Sequence, residues 1–385
     1  MANILILGGG FGGLITAEQL SASLASSDHQ ITLVSPNRDF TFYPGLVHLA
    51  FGRYEGSDVT FDLQNKLKEL GVRFVRSEVI KINRNPRSVD VAGDDFTGQI
   101  AYDYLVIATG RRLATEKVSG FFDHSHHLLG TKAALRFGEA VENFKSGRII
   151  VGMCPGARLP VPVCETAFSL ARKFKSQLQE GSVQVSVVFP ESLEAAFGGA
   201  KLHKELEAAF AKHRIDVHYD IPINEITDAE LRSSERHSIG FDLLMLVPPF
   251  RGQAFLRDLE VADDEDFVKV DGAMRVHGME NAYAVGDIVA FSGPKLAHMA
   301  VRQAKVAAEN LVAEIQGNQP SESYYHEIAA IIDSGGPDSI YLHYGIWDDE
   351  QFRVAKGRFW GWAKTIHDEA WQSRHLSQSK GSDTF

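Results

Sequence analysis

Ile4-Leu5-Ile6-Leu7-Gly8-Gly9-Gly10-Phe11-Gly12-Gly13 is an apolar run that breaks into glycines, and an amphipathic stretch from Leu14 to Leu24 follows it. The order predicts strand, glycine turn and helix. Gly8 permits the tight turn, Gly10 lets backbone N–H groups approach a pyrophosphate, and Gly13 lets helix and strand pack closely. The positive end of the helix attracts phosphate charge, so Gly8, Gly10, Phe11, Gly12 and Gly13 form a candidate dinucleotide site.

The chain has 385 residues and a formal net charge of −11. Its length allows two or three domains with a sizeable core. Its acidity argues against a nucleic-acid partner, which needs a concentrated basic face. No apolar run reaches the ~18 residues that span a bilayer. The first strand begins at residue 3, which leaves no room for a signal peptide, so a cytoplasmic location is expected. Two cysteines, Cys154 and Cys164, are too few for a disulfide framework.

Further glycine-ended strands lie downstream. The second strand, Ile31-Thr32-Leu33-Val34, runs into Ser35, a ribose hydrogen-bonding group where an acid is usual. Tyr104-Leu105-Val106-Ile107-Ala108-Thr109-Gly110 is one more strand and turn. Asn281-Ala282-Tyr283-Ala284-Val285-Gly286-Asp287 is another, with a helix from about Lys295. In the opening glycine turn and these last two segments the chain resembles the two-dinucleotide-binding-domain flavoproteins. The resemblance implies FAD, with Ala108, Thr109 and Gly110 at the exit from its domain and Asp287, after Gly286, on the flavin ribityl chain. It also implies an α/β fold of two Rossmann-like three-layer domains, the second inserted in the first, plus a C-terminal segment. Residues 1–112 and 268–316 are then the FAD domain, 113–267 the NAD-domain-like insert, and 317–385 a segment facing quinone and membrane. Within the insert, Arg148–Gly152 and Val183–Val188 read as strands, and Glu165–Lys175 and Lys201–Lys212 as helices. The polar tail 377–385 is expected to be disordered.

Three segments narrow the resemblance: Asp39-Phe40-Thr41-Phe42-Tyr43-Pro44-Gly45-Leu46, Leu246-Val247-Pro248-Pro249-Phe250-Arg251-Gly252 and Pro294-Lys295-Leu296. They are similar to segments of the sulfide:quinone oxidoreductases, whose neighbours are the flavocytochrome c sulfide dehydrogenases and type II NADH dehydrogenases. The resemblance extends the FAD site to Pro36, Tyr43, Pro44, Val79, Lys295 and Leu296. Lys295 would be a cation beside flavin N1/O2, and a charge pair 4 Å apart at an effective dielectric of ~20 is worth roughly 4 kcal/mol. The other reading of Lys295 is a solvated lysine at a helix start. The implied reaction passes electrons from a small reductant, sulfide or NADH, through flavin to a quinone. A type II NADH:quinone dehydrogenase is one alternative, and a flavoprotein subunit lacking its own donor site is another.

The cysteines depart from the family pattern, in which one redox cysteine stands six residues before the glutamate that opens the inserted-domain helix. Aligning that glutamate on Glu165 puts Leu159 at the cysteine position; a gap would instead match Cys164. No partner cysteine occurs within Tyr325–Asp333. Cys164 is expected at a helix start, where the dipole lowers a thiol pKa and makes it a candidate catalytic thiolate. Cys154 and Cys164 either bridge or pack as two buried thiols. The NADH alternative meets Gly152-Met153-Cys154-Pro155-Gly156 where a second GxGxxG turn belongs. Glu191 is either a mimic of the NAD-ribose acid or a solvated loop residue. Glu165 is a candidate proton donor to quinone or an acid stabilised by the helix dipole. His124, His126 and His127 match no zinc spacing, predict an exposed loop, and leave no metal site to assign.

Phe352 to His375 reads as one helix with Phe352, Ala355, Phe359, Trp362, Ala363, Ile366 and Ala370 on one face, flanked by basic residues. Such a helix suits a bilayer interface, or equally packing on the protein body or across a homodimer.

Overall fold

The computed structural model describes residues 1–25, 28–234, 237–334, 339–348 and 351–376; the polar tail 377–385 lies outside the described residues. The opening apolar run forms the strand Asn3–Leu7 at the centre of a five-stranded parallel sheet. The order across the sheet is Ala282–Ala284, Tyr104–Ile107, Asn3–Leu7, Gln30–Ser35, Arg73–Arg76. Ile4, Leu5, Ile6 and Leu7 are buried because a central parallel strand is covered on both faces. The helix Phe11–Leu24 packs against the helix Ala297–Ile315. Leu14, Ala17 and Leu20 are buried together with Thr16 and Glu18, so the helix is covered nearly all round rather than half-exposed.

A second parallel sheet has the order Ile215–His218, Val183–Val188, Gly147–Met153, Leu243–Val247. All four strands fall, in sequence, between Tyr104–Ile107 and Ala282–Ala284 of the first sheet. The protein is therefore α/β, with one parallel sheet interrupted by another.

Three local expectations are corrected. The helix after Gly147–Met153 begins at Pro160, not Glu165, and runs to Lys173. Pro160 starts it well, since its ring presets the helical φ and its missing N–H is one that no helix satisfies internally. Cys164 and Glu165 consequently lie in the second turn and are buried. Phe352–Lys356 is a strand, paired antiparallel with Ile340–Gly345, which pairs in turn with Glu327–Ile332. An open sheet edge overrides the helical periodicity there, and Gly357 at φ +152° separates the strand from the helix Arg358–Leu376. His126 is no loop residue in solvent: its N–H donates to Leu244 O and its carbonyl accepts from Leu246 N, each at 2.9 Å. His126 and His127 are half-buried, and only His124 is exposed. Among the described residues no helix is long and apolar enough to cross a membrane.

Candidate active site

A cleft of about 480 Å³ opens at the carboxyl ends of the first sheet's central strands, where open parallel sheets bind ligands. Gly8 turns the chain there with φ +107°, and a Cβ on it would stand 2.2 Å from Ala108 O. A Cβ on Gly13 would stand 1.9 Å from Gly8 O, so Gly13 serves by close packing and does not itself line the cleft. Gly10, Phe11 and Gly12 do line it. Gly10 caps the helix Phe11–Leu24, whose first turn carries no acid, so its positive end is not neutralised locally.

The remaining expected cofactor residues gather around this turn. Ser35, Pro36, Tyr43, Pro44 and Val79 line the cleft from the second strand and the segments after it. The Ser35 hydroxyl donates to Asn37 O at 3.2 Å. Ala108, Thr109, Gly110, Gly286, Asp287 and Leu296 complete that wall. The Thr109 hydroxyl is buried with no hydrogen-bond partner among the described residues. Arg111, which sequence reasoning did not single out, pairs with the Asp287 carboxylate. Its position directly after Ala108-Thr109-Gly110 was the available signal.

These features fit FAD. Side chains are excluded where a pyrophosphate must approach, a helix end supplies positive potential, and buried donors await acceptors.

Lys295 lines the cleft as expected, and it is buried there rather than solvated. It is 7% exposed, donates to Val289 O, and rests 4.7 Å from the centroid of the Phe267 ring. Burial, and then the nearby Arg158 guanidinium, push its amine well below the ordinary lysine range.

Glu165 reaches the cleft from the inserted helix, and Lys364 reaches it from the C-terminal helix. The two form an ion pair, and the Asp333 N–H donates to the same Glu165 oxygen at 2.9 Å. Burial raises the Glu165 carboxyl above the usual carboxylate range despite Lys364. Lys364 is also buried, yet Glu165 and Asp368 hold its ammonium above the ordinary value. Its spacing was the overlooked signal. Lys364, Asp368, Trp371 and His375 recur at helical intervals and turn inward, while Phe359, Trp362 and Ile366 turn outward at 59%, 61% and 42% exposure. Trp371 lies 5.1 Å, ring to ring, from Phe11 of the glycine turn.

Cys164 does not line the cleft. It is fully buried, and burial followed by the Glu165 charge drives its thiol well above the normal range, opposite to the expected helix-start thiolate. Cys154 is likewise buried and its thiol raised, and both cysteines are free, so they form no disulfide. Leu159 does line the cleft, so the position is kept without the sulfur. Glu191 is exposed and lies apart from it.

The chain is 27% identical over 358 residues to the sulfide-quinone reductase of Aquifex aeolicus, covering 86% of this chain and 80% of that protein. It is 21% identical over 368 residues to a type II NADH:quinone oxidoreductase of Staphylococcus aureus, covering 89% and 90%. The crystal structure of the Aquifex aeolicus sulfide:quinone oxidoreductase superposes with a TM-score of 0.89 at 24% identity, covering 98% of this chain and 92% of that one. The family described as pyridine nucleotide-disulphide oxidoreductase matches residues 2–304. Because that match contains every strand of both parallel sheets and the glycine turn they surround, the chain belongs to the pyridine nucleotide-disulphide oxidoreductase family and is an FAD-dependent oxidoreductase.

Proposed function

We propose that the protein oxidises sulfide and reduces a membrane quinone. FAD, when bound, takes up two electrons from one substrate and gives them to the next. Sulfide loses two electrons and a proton to become zero-valent sulfur, and the quinone gains two electrons and two protons to become quinol. The observation that carries the quinone half is the C-terminal helix, which presents Lys364 to the cleft and Phe359, Trp362 and Ile366 to the exterior. An acceptor dissolved in lipid then reaches the cleft beside a helix suited to the interface. Glu165, buried in the cleft wall beside Lys364, is positioned to relay a proton to the quinone oxygen, and Lys364 keeps it oriented.

Sulfide is favoured over NADH by the helix Pro160–Lys173, in which Pro160 and Pro162 remove two of the N–H groups that would face a second pyrophosphate. The buried thiols favour a route that bypasses protein cysteines. Anaerobic mixing with sulfide or NADH, followed at the flavin band, tests the donor. Sulfide is expected to bleach the flavin and a quinone to restore it. Cys154→Ser and Cys164→Ser should react within about twofold of wild type. Bleaching by NADH alone would reassign the protein as an NADH:quinone reductase, and bleaching by neither would mark a flavoprotein without its own donor site.

Membrane contact is tested on the outward face alone, because removing the whole helix would also take Lys364 from Glu165 and Trp371 from Phe11. The double variant Trp362→Ser/Ile366→Ser is expected to abolish sedimentation with anionic vesicles at low salt while flavin content stays constant. Vesicle binding equal to wild type would remove the helix from the membrane contact.

A further inference from the structure

Arg111 is held unusually firmly for a cleft side chain. It is 13% exposed, and its guanidinium pairs through Nη1 with the Asp287 carboxylate. The guanidinium carbon stands 4.2 Å from the centroid of the Phe250 ring and 5.8 Å from that of Tyr43. Phe250 is itself fixed, because Phe250–Arg251 pairs antiparallel with Arg112–Leu113. The Pro-Pro-Phe segment thus places a buried ring under the guanidinium. A buried donor is left over: Arg111 Nε has no acceptor among the described residues. A buried N–H of this kind calls for a partner.

The surroundings indicate which partner. Ala108 O touches the space a side chain at Gly8 would fill, and a Cβ on Gly12 would stand 3.0 Å from the Val285 side chain. The strand ends that carry Arg111 and Asp287 therefore abut the glycine turn and the positive end of its helix. The planar fork of arginine matches phosphate oxygens, for which it is a preferred ligand. Lys295, the other cation candidate on this wall, has its amine committed to Val289 O and the Phe267 ring.

We propose that Arg111 is a phosphate-binding residue of the FAD site, donating from Nε to the pyrophosphate while Asp287 and the Phe250 ring hold the fork in place. The proposal rests on the reading that this cleft takes FAD. ADP is the discriminating probe, since it carries the diphosphate and no flavin ring. Its displacement of FAD from the holoprotein is followed by the rise in flavin fluorescence. Arg111→Gln is expected to weaken FAD and ADP together, each by about 10- to 100-fold, with Arg111→Lys intermediate. The spectrum and reduction potential of the flavin still bound should match wild type. Unchanged ADP affinity in Arg111→Gln overturns the proposal. So does a shifted flavin potential with ADP affinity intact, which would put the guanidinium on the flavin ring. If Arg111→Gln does not fold, Phe250→Leu removes only the supporting ring and should weaken ADP and FAD in parallel. Wild-type protein that binds no flavin would instead defeat the underlying FAD reading.

Discussion

Asp287→Ala is expected to purify colourless, with FAD affinity reduced by at least ~100-fold. The carboxylate stands at the end of Ala282–Ala284 on the cleft wall, and it is also the partner of Arg111. Its removal deletes a charge-assisted acceptor, each worth about 1.5–3 kcal/mol, and leaves a guanidinium at 13% exposure without its carboxylate. Asp287→Asn keeps the shape but not the charge, and should retain part of the flavin. Flavin absorbance relative to protein absorbance, measured on material shown to be folded by circular dichroism, is the readout. A fully yellow Asp287→Ala would show that this carboxylate does not hold the cofactor.

Lys364→Ala is expected to have the largest effect on stability. Breaking a buried ion pair from one side leaves an uncompensated charge and typically costs about 3–5 kcal/mol. Here the abandoned group is Glu165, which is 4% exposed and, among the described residues, retains the Asp333 N–H on its paired oxygen. The double variant Glu165→Gln/Lys364→Met removes both charges and should recover most of the urea midpoint. It should not recover quinone reduction, which is expected to stay down by about 100-fold if Glu165 delivers the proton. The sign of the pH dependence follows from the raised Glu165 pKa. The protonated acid is present at low pH and is lost as pH rises through that value. Quinone reduction should therefore fall on the alkaline side, and Glu165→Gln should abolish that limb while leaving flavin bleaching by the donor intact. A double variant as unstable as Lys364→Ala would show that the two side chains stabilise the fold by packing rather than by charge.

Both variants concern residues whose meaning differed sharply in how far it could be read along the chain. Asp287 was readable because it ends a short strand in a Gly-Asp signature, and Gly8, Gly10 and Gly13 because strand, turn and helix are consecutive. Lys364 was not, since its partner Glu165 lies 199 residues away. Seen alone, it is one more basic residue beside an aromatic stripe. Cys164 misled for the same reason. A helix-start thiolate follows from a helix beginning at Glu165, whereas Pro160 begins it and burial then raises the thiol.

The sequence by itself determined the parallel α/β architecture, the cofactor and most of the residues that line the cleft. These rest on local rules: apolar runs that only a doubly covered strand can use, and glycines where a side chain has no room. The tertiary structure alone decided the surroundings of each buried charged side chain. It buries Lys295 against Val289 O and the Phe267 ring, places Glu165 and Asp368 beside Lys364, and locks Arg111 between Asp287 and two rings. It also made Phe352–Lys356 a strand, because a neighbouring edge was free to pair. Charge state and edge pairing depend on what lies across space, and no spacing along the chain encodes that.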